Sequence, residues 1–153
     1  MDDAGIYARH SDFLDRHVQV GLAQGRVISL SFPTTPADEA QSELPLLDRL
    51  AAYLDGERDD FEDVTVAMTM PTPHRKVLEK VREIPYGEEA TVEQVTRMVP
   101  DRDPDDDDDL GTVREALAEN PVPLLLPDHR VRDGPSGAPP SVEQKLRVVE
   151  GLP

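Results

Sequence analysis

The chain of 153 residues has no cysteine. That absence excludes disulfides, thiolate metal sites and every mechanism built on a thiol nucleophile, whatever motifs follow. Lysine is scarce too: Lys76, Lys80 and Lys145 are three of the 16 basic residues, and the rest are arginine. No apolar run approaches the roughly 20 residues that cross a bilayer. Met1, Asp2 and Asp3 open the chain without a basic region leading into an apolar stretch. A soluble, cytoplasmic protein with no membrane partner is expected. The length and the 37% share of hydrophobic residues allow one ordinary domain or two small ones, with a core of modest size.

What is abundant is acid: 32 Asp and Glu give a net charge of -16. Affinity for nucleic acid rests largely on Lys and Arg neutralising phosphates, so this balance argues against a polyanion partner. A Lys-poor, acidic surface is also what molar internal salt favours, because the screening length there falls to about 3 Å and self-repulsion is damped. A halophilic source is the expectation that reconciles such a charge with a stable fold.

The first seventy residues read as a small α+β unit. Two β-rich runs, Val18 to Leu22 and Arg26 to Phe32, joined across Ala23, Gln24 and Gly25, give a hairpin signal. In the second run Ile28, Leu30 and Phe32 are expected on the inward face, with Ser29 and Ser31 on the other. Pro45 to Leu54 reads as a helix with Leu46, Leu47, Leu50, Ala51 and Leu54 on its apolar side, stopping near Gly56. Val64 to Met68 is expected as a further strand before Pro71, Thr72 and Pro73, where the domain boundary is placed. The division is residues 1–70 and 71–153.

The second half reads as helical. Thr72 and Pro73 open a helix with Val77, Leu78, Val81 and Ile84 in one stripe, ending at Pro85, Tyr86 and Gly87. Thr91 and Gln94 form a capping box for a second helix that buries Val95, Met98 and Val99. Asp101 to Asp109 reads as an acidic loop, solvated rather than cation-binding, since consecutive carboxylates lack the spacing of a calcium loop. A third helix is expected from Leu110 to Glu119, closed by Asn120 and Pro121, and a fourth opens with a Ser141 to Gln144 capping box. Two short helices joined by a loop have the layout of a helix-turn-helix, which also occurs in domains that never touch DNA.

Three ordered stretches are more specific: Ile84, Pro85, Tyr86, Gly87; then Asn120, Pro121; then Pro127, Asp128, His129, Arg130, Val131. Together they resemble the methylated-DNA-protein cysteine methyltransferases, which carry Ile-Pro-x-Gly, Asn-Pro and Pro-Cys-His-Arg-Val in that order. The resemblance covers residues 72 to 151, and the first half resembles the family's smaller N-terminal domain. It implies an α+β fold: a strand-rich N-terminal domain and a helical, winged-helix-like DNA-binding domain. In that family a cysteine thiolate, activated through water by histidine and glutamate, attacks the alkyl carbon of a flipped guanine. Asp128 stands at the acceptor position, His129 beside it, and Glu150 before Gly151 matches the relay glutamate. The family's phosphate-rotating tyrosine falls at Val92, and the arginine that fills the gap left by the flipped base falls at Gly111. The loop that closes over the base is reduced to 132–138 and has no aromatic residue.

A carboxylate is a far poorer nucleophile than a thiolate toward an alkyl carbon, so alkyl transfer is not expected at Asp128. The implied function is a non-enzymatic sensor of alkylated guanine in double-stranded DNA, working with other repair proteins. The alternative is an interaction or structural module that no longer binds DNA. A hydrolase or metal site using Asp128, His129 and Asp133 is a third reading; no cofactor or metal is expected. Asn120, Arg114 and Arg130 are the candidate DNA contacts, and Arg97, Arg102 and Arg132 lie near the same face. These arginines are expected to pair mainly with neighbouring carboxylates. Plainer readings stand beside these: Asp128 bonding backbone groups in a tight turn, His129 as a satisfied histidine, Glu150 as an exposed helix carboxylate, Asn120 as a helix terminator, His10 and His74 as surface residues. If the charge is an adaptation to salt, circular dichroism will show loss of structure below molar salt, whereas an unchanged spectrum in dilute buffer overturns the halophilic reading.

Overall fold

The computed structural model describes residues 4–153, so Met1, Asp2 and Asp3, read above for a leader, lie outside the described residues. The architecture is α+β. Strands β1 (Gly5–Ser11), β2 (Arg16–Ala23) and β3 (Arg26–Ser31) form an antiparallel sheet in the order β1-β2-β3. The expected hairpin is β2 and β3, turned at Gln24 and Gly25 with φ of 53° and 73°. Positive φ at both central residues matches the twist of the strands and explains a glycine there. β1 was not anticipated, because adjacent Tyr7 and Ala8 are both buried and blur its alternation.

The inward face of β3 differs from expectation. The pairing skips Ile28, since Leu22 faces Val27 and Gly21 faces Ser29. This bulge shifts the alternation, so Val27, Leu30 and Phe32 are buried and Ile28 is exposed. The run from Val64 to Met68 forms no strand. It meets β3 in a single bridge between Val27 and Val66, beside the bulge, where a regular ladder cannot continue.

Helix α1 (Pro45–Leu54) has the expected limits and buries Leu47, Leu50, Tyr53 and Leu54. Helix α2 (Thr72–Val81) has Pro71, not Thr72, at its N-cap and no side chain capping it. Helix α3 (Val92–Met98) starts in the Thr91–Gln94 capping box, with both reciprocal bonds made. Met98 is exposed, and Thr96 takes an inward place instead, its hydroxyl donating to the Val92 carbonyl at 2.8 Å. Helix α4 (Asp107–Ala118) begins earlier than Leu110. The Asp106 carboxylate accepts from the Asp108 and Asp109 amides, so part of the acidic run is a cap and a first helical turn, where negative charge complements the helix dipole. Helix α5 (Pro140–Val149) forms no Ser141 capping box. Pro139 sits at the N-cap and Pro140 at the first helical position, which presets the start one residue ahead of Ser141.

Two apolar clusters fill the interior. The larger joins the sheet and α1 to Leu78, the segment from Val122 to Leu126, Val142 and Leu146. The smaller lies among α2, α3 and α4 with Val131. A backbone bond from the Leu30 amide to the Pro121 carbonyl, 3.0 Å, ties β3 to the stretch after α4. That stretch, Val122 to Val131, is buried almost without interruption and leads the chain into a short 3-10 turn at Asp128–Arg130. The candidate site is therefore an interior turn packed against α2 and α5 and reached by Tyr53 of α1, not a surface loop.

Candidate functional site

Asp128 is fully buried. Its Oδ1 accepts the Ser136 hydroxyl at 2.6 Å, and its Oδ2 accepts the Gly137 amide at 2.8 Å and the Asn120 side-chain amide at 3.0 Å. Asn120 is itself fully engaged, donating also to the Leu126 carbonyl and accepting the Val122 amide. Gly137 packs so closely that a Cβ there would lie 2.2 Å from the Asn120 carbonyl oxygen, so only glycine lets the 134–138 loop close over Asp128. Burial pushes the Asp128 carboxyl up to about 7, and the hydrogen bonds from Ser136, Gly137 and Asn120 pull in the opposite direction. The acid is thus held by side-chain and backbone donors drawn from two segments.

Beside it, Glu150 collects four donor residues from three parts of the chain. His129 Nε2 lies 2.6 Å from Glu150 Oε2, Arg130 donates through Nε at 2.8 Å and Nη2 at 3.0 Å, and the Gly87 amide donates at 3.0 Å. The Tyr53 hydroxyl completes the set by donating to Oε2. Burial alone would favour the neutral acid, but the bonds from His129 and Arg130 outweigh it and hold the carboxyl well below the usual range. The expectation of an exposed carboxylate at Glu150 is therefore overturned. An ionised carboxylate only accepts, so His129 donates from Nε2 and leaves Nδ1 as the basic nitrogen; Nδ1 is buried and has no hydrogen-bond partner among the described residues. Burial lowers the His129 pKa and keeps the ring neutral, although Glu150 pulls the other way. Burial, reinforced by the Glu150 charge, raises that of Tyr53.

Arg130, expected as a surface DNA contact, is buried instead. Its guanidinium holds Glu150 and the Ile84 carbonyl and lies 5.7 Å from the Tyr86 ring centroid. Asn120 is likewise interior. Arg114 is exposed on α4 and makes no hydrogen bond or ion pair among the described residues. Arg97 pairs with Glu93 at 3.2 Å, Arg102 with Asp109 at 2.8 Å and Arg132 with Glu89 at 3.9 Å. Val92 is buried at the start of α3, where its amide donates to Asp133 at 2.7 Å, while Gly111 is exposed with open space where a side chain would project. Asp133 is thus a backbone anchor, and with the Asp128 oxygens also occupied the two do not form an open metal cradle. Sequence reasoning missed Tyr53 and Arg147. The apolar face expected for α1 names only aliphatic residues and omits Tyr53, yet Tyr53 is buried there. Arg147 reaches the His129 carbonyl at 2.6 Å and Glu89 at 2.6 Å, and its only signal was a cation in the last turn of a helix near the motif.

The family described as 6-O-methylguanine DNA methyltransferase, DNA binding domain, matches residues 72–148. A methylated-DNA-protein-cysteine methyltransferase of Methanopyrus kandleri is 34% identical over 126 residues, 80% of this chain and 91% of that protein. One from Metallosphaera sedula is 31% identical over 111 residues, 69% of this chain and 64% of its own length. A Thermus thermophilus protein named DNA base-flipping protein is 32% identical over 105 residues, 65% of this chain and 64% of its own. The chain belongs to the methylated-DNA-protein-cysteine methyltransferase family. Among solved structures, O6-methylguanine methyltransferase of Mycobacterium tuberculosis shares the fold with a TM-score of 0.74 at 18% identity, over 95% of this chain and 93% of that one. The same organism's protein in complex with DNA gives 0.73 at 18% identity, over 97% and 94%.

Two outcomes follow from this geometry. Glu150→Gln leaves Arg130 buried without a counter-charge and should cost about 3–5 kcal/mol of stability, read from urea midpoints. A loss below about 1 kcal/mol would show that the cluster is not an ion pair that the fold must keep. The second concerns pH. Asp128 keeps its proton to about pH 7 in the fold, against roughly 3.9 in an unfolded chain. The native state therefore binds more protons between those values, and the Asp128 contribution to stability falls as pH rises through that window. His129 acts oppositely: its contribution is present above the unfolded value and is lost as pH falls below it. Asp128→Asn removes only the first effect, so its stability should rise relative to wild type from pH 4 to 7, by at most about 1.4 kcal/mol per pH unit. A difference that does not change with pH refutes the assignment.

Proposed function

We propose that the protein is an alkyltransferase-like sensor: it transfers no alkyl group to cysteine, recognises alkylated guanine in double-stranded DNA, and passes the lesion to other repair proteins. The observation that carries this reading is the acceptor turn, which is built and held as a unit although its nucleophile is replaced. Asn120, Asp128, His129 and Glu150 are all engaged in it, in the chain order of the family motif. The relative named DNA base-flipping protein favours a binding role over a transfer role. In this reading residues 71–153 form the winged-helix-like DNA-binding unit, residues 1–70 support it, and the protein acts in the cytoplasm. Asp128 serves as an acceptor of hydrogen bonds, and the Ser136 to Gly137 segment must move aside to admit a base.

One observation favours the second reading, an interaction module without DNA. The start of α4 carries Asp106 to Asp109, four carboxylates on the helix that a helix-turn-helix would present to phosphate. Gly111 also offers no side chain to fill the gap left by a flipped base, and flipping costs about a few kcal/mol.

Fluorescence anisotropy of a labelled duplex, with and without one O6-alkylguanine, separates the two in molar potassium chloride. The sensor binds the lesion duplex in preference to the plain one. Gly111→Arg, which has open space for the new side chain, should strengthen that preference. Absence of binding to either duplex by both proteins overturns the sensor and leaves the module.

A further inference from the structure

Outside the Asp128 and Glu150 networks, His74 in the first turn of α2 faces Glu115 and Glu119 at the end of α4. The His74 Nε2 lies 3.5 Å from a Glu115 carboxylate oxygen, and one donor atom from each of the three residues lies within 4.8 Å of the others. The imidazole, expected at the surface, is largely withdrawn against α4, with 13% of its side chain exposed. Glu115 and Glu119 stand one helical turn apart on the same face.

The charge around these groups is unresolved by the protein itself. Like charges four residues apart repel on a helix, and both carboxylates sit at the helix end whose dipole is negative. The last turn of α4 contains no basic residue. Among the described residues Glu115 pairs only with the imidazole and Glu119 has no ionic partner, while Arg75, the next cation along α2, is held by Glu79. The N-terminus of α2 is uncapped by any side chain. A cation at this point would offset the repulsion, complement the dipole and secure the start of α2.

We propose that His74, Glu115 and Glu119 form a binding site for a divalent transition metal of the zinc type, clipping α2 to α4. One imidazole nitrogen with two carboxylate oxygens suits Zn²⁺ or Co²⁺ better than Mg²⁺ or Ca²⁺, which prefer all-oxygen shells. Bond lengths of about 2.0–2.2 Å place tetrahedral ligand atoms roughly 3.4 Å apart. The three donors approach that spacing by side-chain rotation alone, because both glutamates are exposed. Three protein ligands leave a fourth position for water. The site is separate from the acceptor turn and does not depend on the function proposed for it. It does adjoin that turn through the backbone, since Glu119 precedes Asn120, whose side chain holds Asp128.

The test uses the full chain without an affinity tag, stripped of metal, in salt where circular dichroism shows the native helix content. Calorimetric titration with zinc chloride should give one site per chain, and zinc should raise the melting temperature. Cobalt chloride should produce the visible absorption of tetrahedral Co²⁺. His74→Ala should abolish that absorption and weaken zinc by more than the roughly 10–100-fold that changes outside the ligand shell produce. Glu119→Gln should weaken it as well, whereas Asp107→Asn, in the acidic first turn of α4, should leave it unchanged. Zinc affinity unaltered in His74→Ala overturns the proposal and assigns binding to scattered surface carboxylates. Absence of a single site in the parent chain overturns it outright.

Discussion

The buried carboxylate of Glu150 is the group on which the arrangement of the site depends. A lone ionised acid in the interior is costly, and the fold meets that cost by bringing four donors from distant segments to one place. Tyr53 comes from α1, Gly87 from the turn after α2, and His129 and Arg130 from the turn before the last loop. Arg130 in turn binds the Ile84 carbonyl, so the Ile-Pro-Tyr-Gly turn is fixed by the same ion pair. Buried ion pairs contribute little net stability compared with apolar packing. Their effect here is positional: the ends of α1, α2 and α5 meet in one register because the charge must be satisfied.

This explains which parts of the family pattern the chain keeps. His129, Arg130, Glu150 and Asn120 are interior, and each has bonds whose loss would strand a buried partner. The positions that depart from the pattern differ in kind. Gly111 is exposed on α4 with open space where a side chain would project, so packing places no demand on its side chain. Val92 is buried, but as an apolar residue of the smaller core, with only its backbone amide committed. Asp128 stands between these cases. It is interior like the relay, yet the exchange of a thiol for a carboxylate is compensated locally by Ser136, Gly137 and Asn120. A carboxylate can therefore stand at this turn without loss of the frame around it.

Much of the fold was legible because its signals are local. The limits of α1 followed from Pro45 and the leucine spacing, the α3 start from Thr91 and Gln94, and the hairpin from Gln24 and Gly25. Signals failed where a second determinant competed. Two prolines set the α5 start ahead of Ser141, a bulge turned Ile28 out of the inner face of β3 and Val27 into it, and the aspartate run capped and entered α4 rather than looping. The site was legible as an ordered motif but not as a network. Nothing in spacing links Tyr53 to Glu150, which lie 97 residues apart, or predicts that Arg130 points inward.

The same reasoning bears on the surface. With arginines far outnumbered by acids, the exposed cations are largely committed: Arg97, Arg102 and Arg132 each face a neighbouring carboxylate. Arg49 is shared by Asp59 and Asp63, whose carboxyls it holds below their ordinary range. A cation already shared in this way has little left for phosphate, because leaving its partner restores a repulsion. Any approach to DNA must then rest on the few donors without such a partner, of which Arg114 on α4 is one, and on short-range contacts. Salt acts on the two problems in opposite directions, since it damps the self-repulsion of the acidic surface and weakens every phosphate contact. In molar salt an acidic surface repels itself least and electrostatic affinity for phosphate is also least, so the charge of this face offers little to a DNA contact under those conditions.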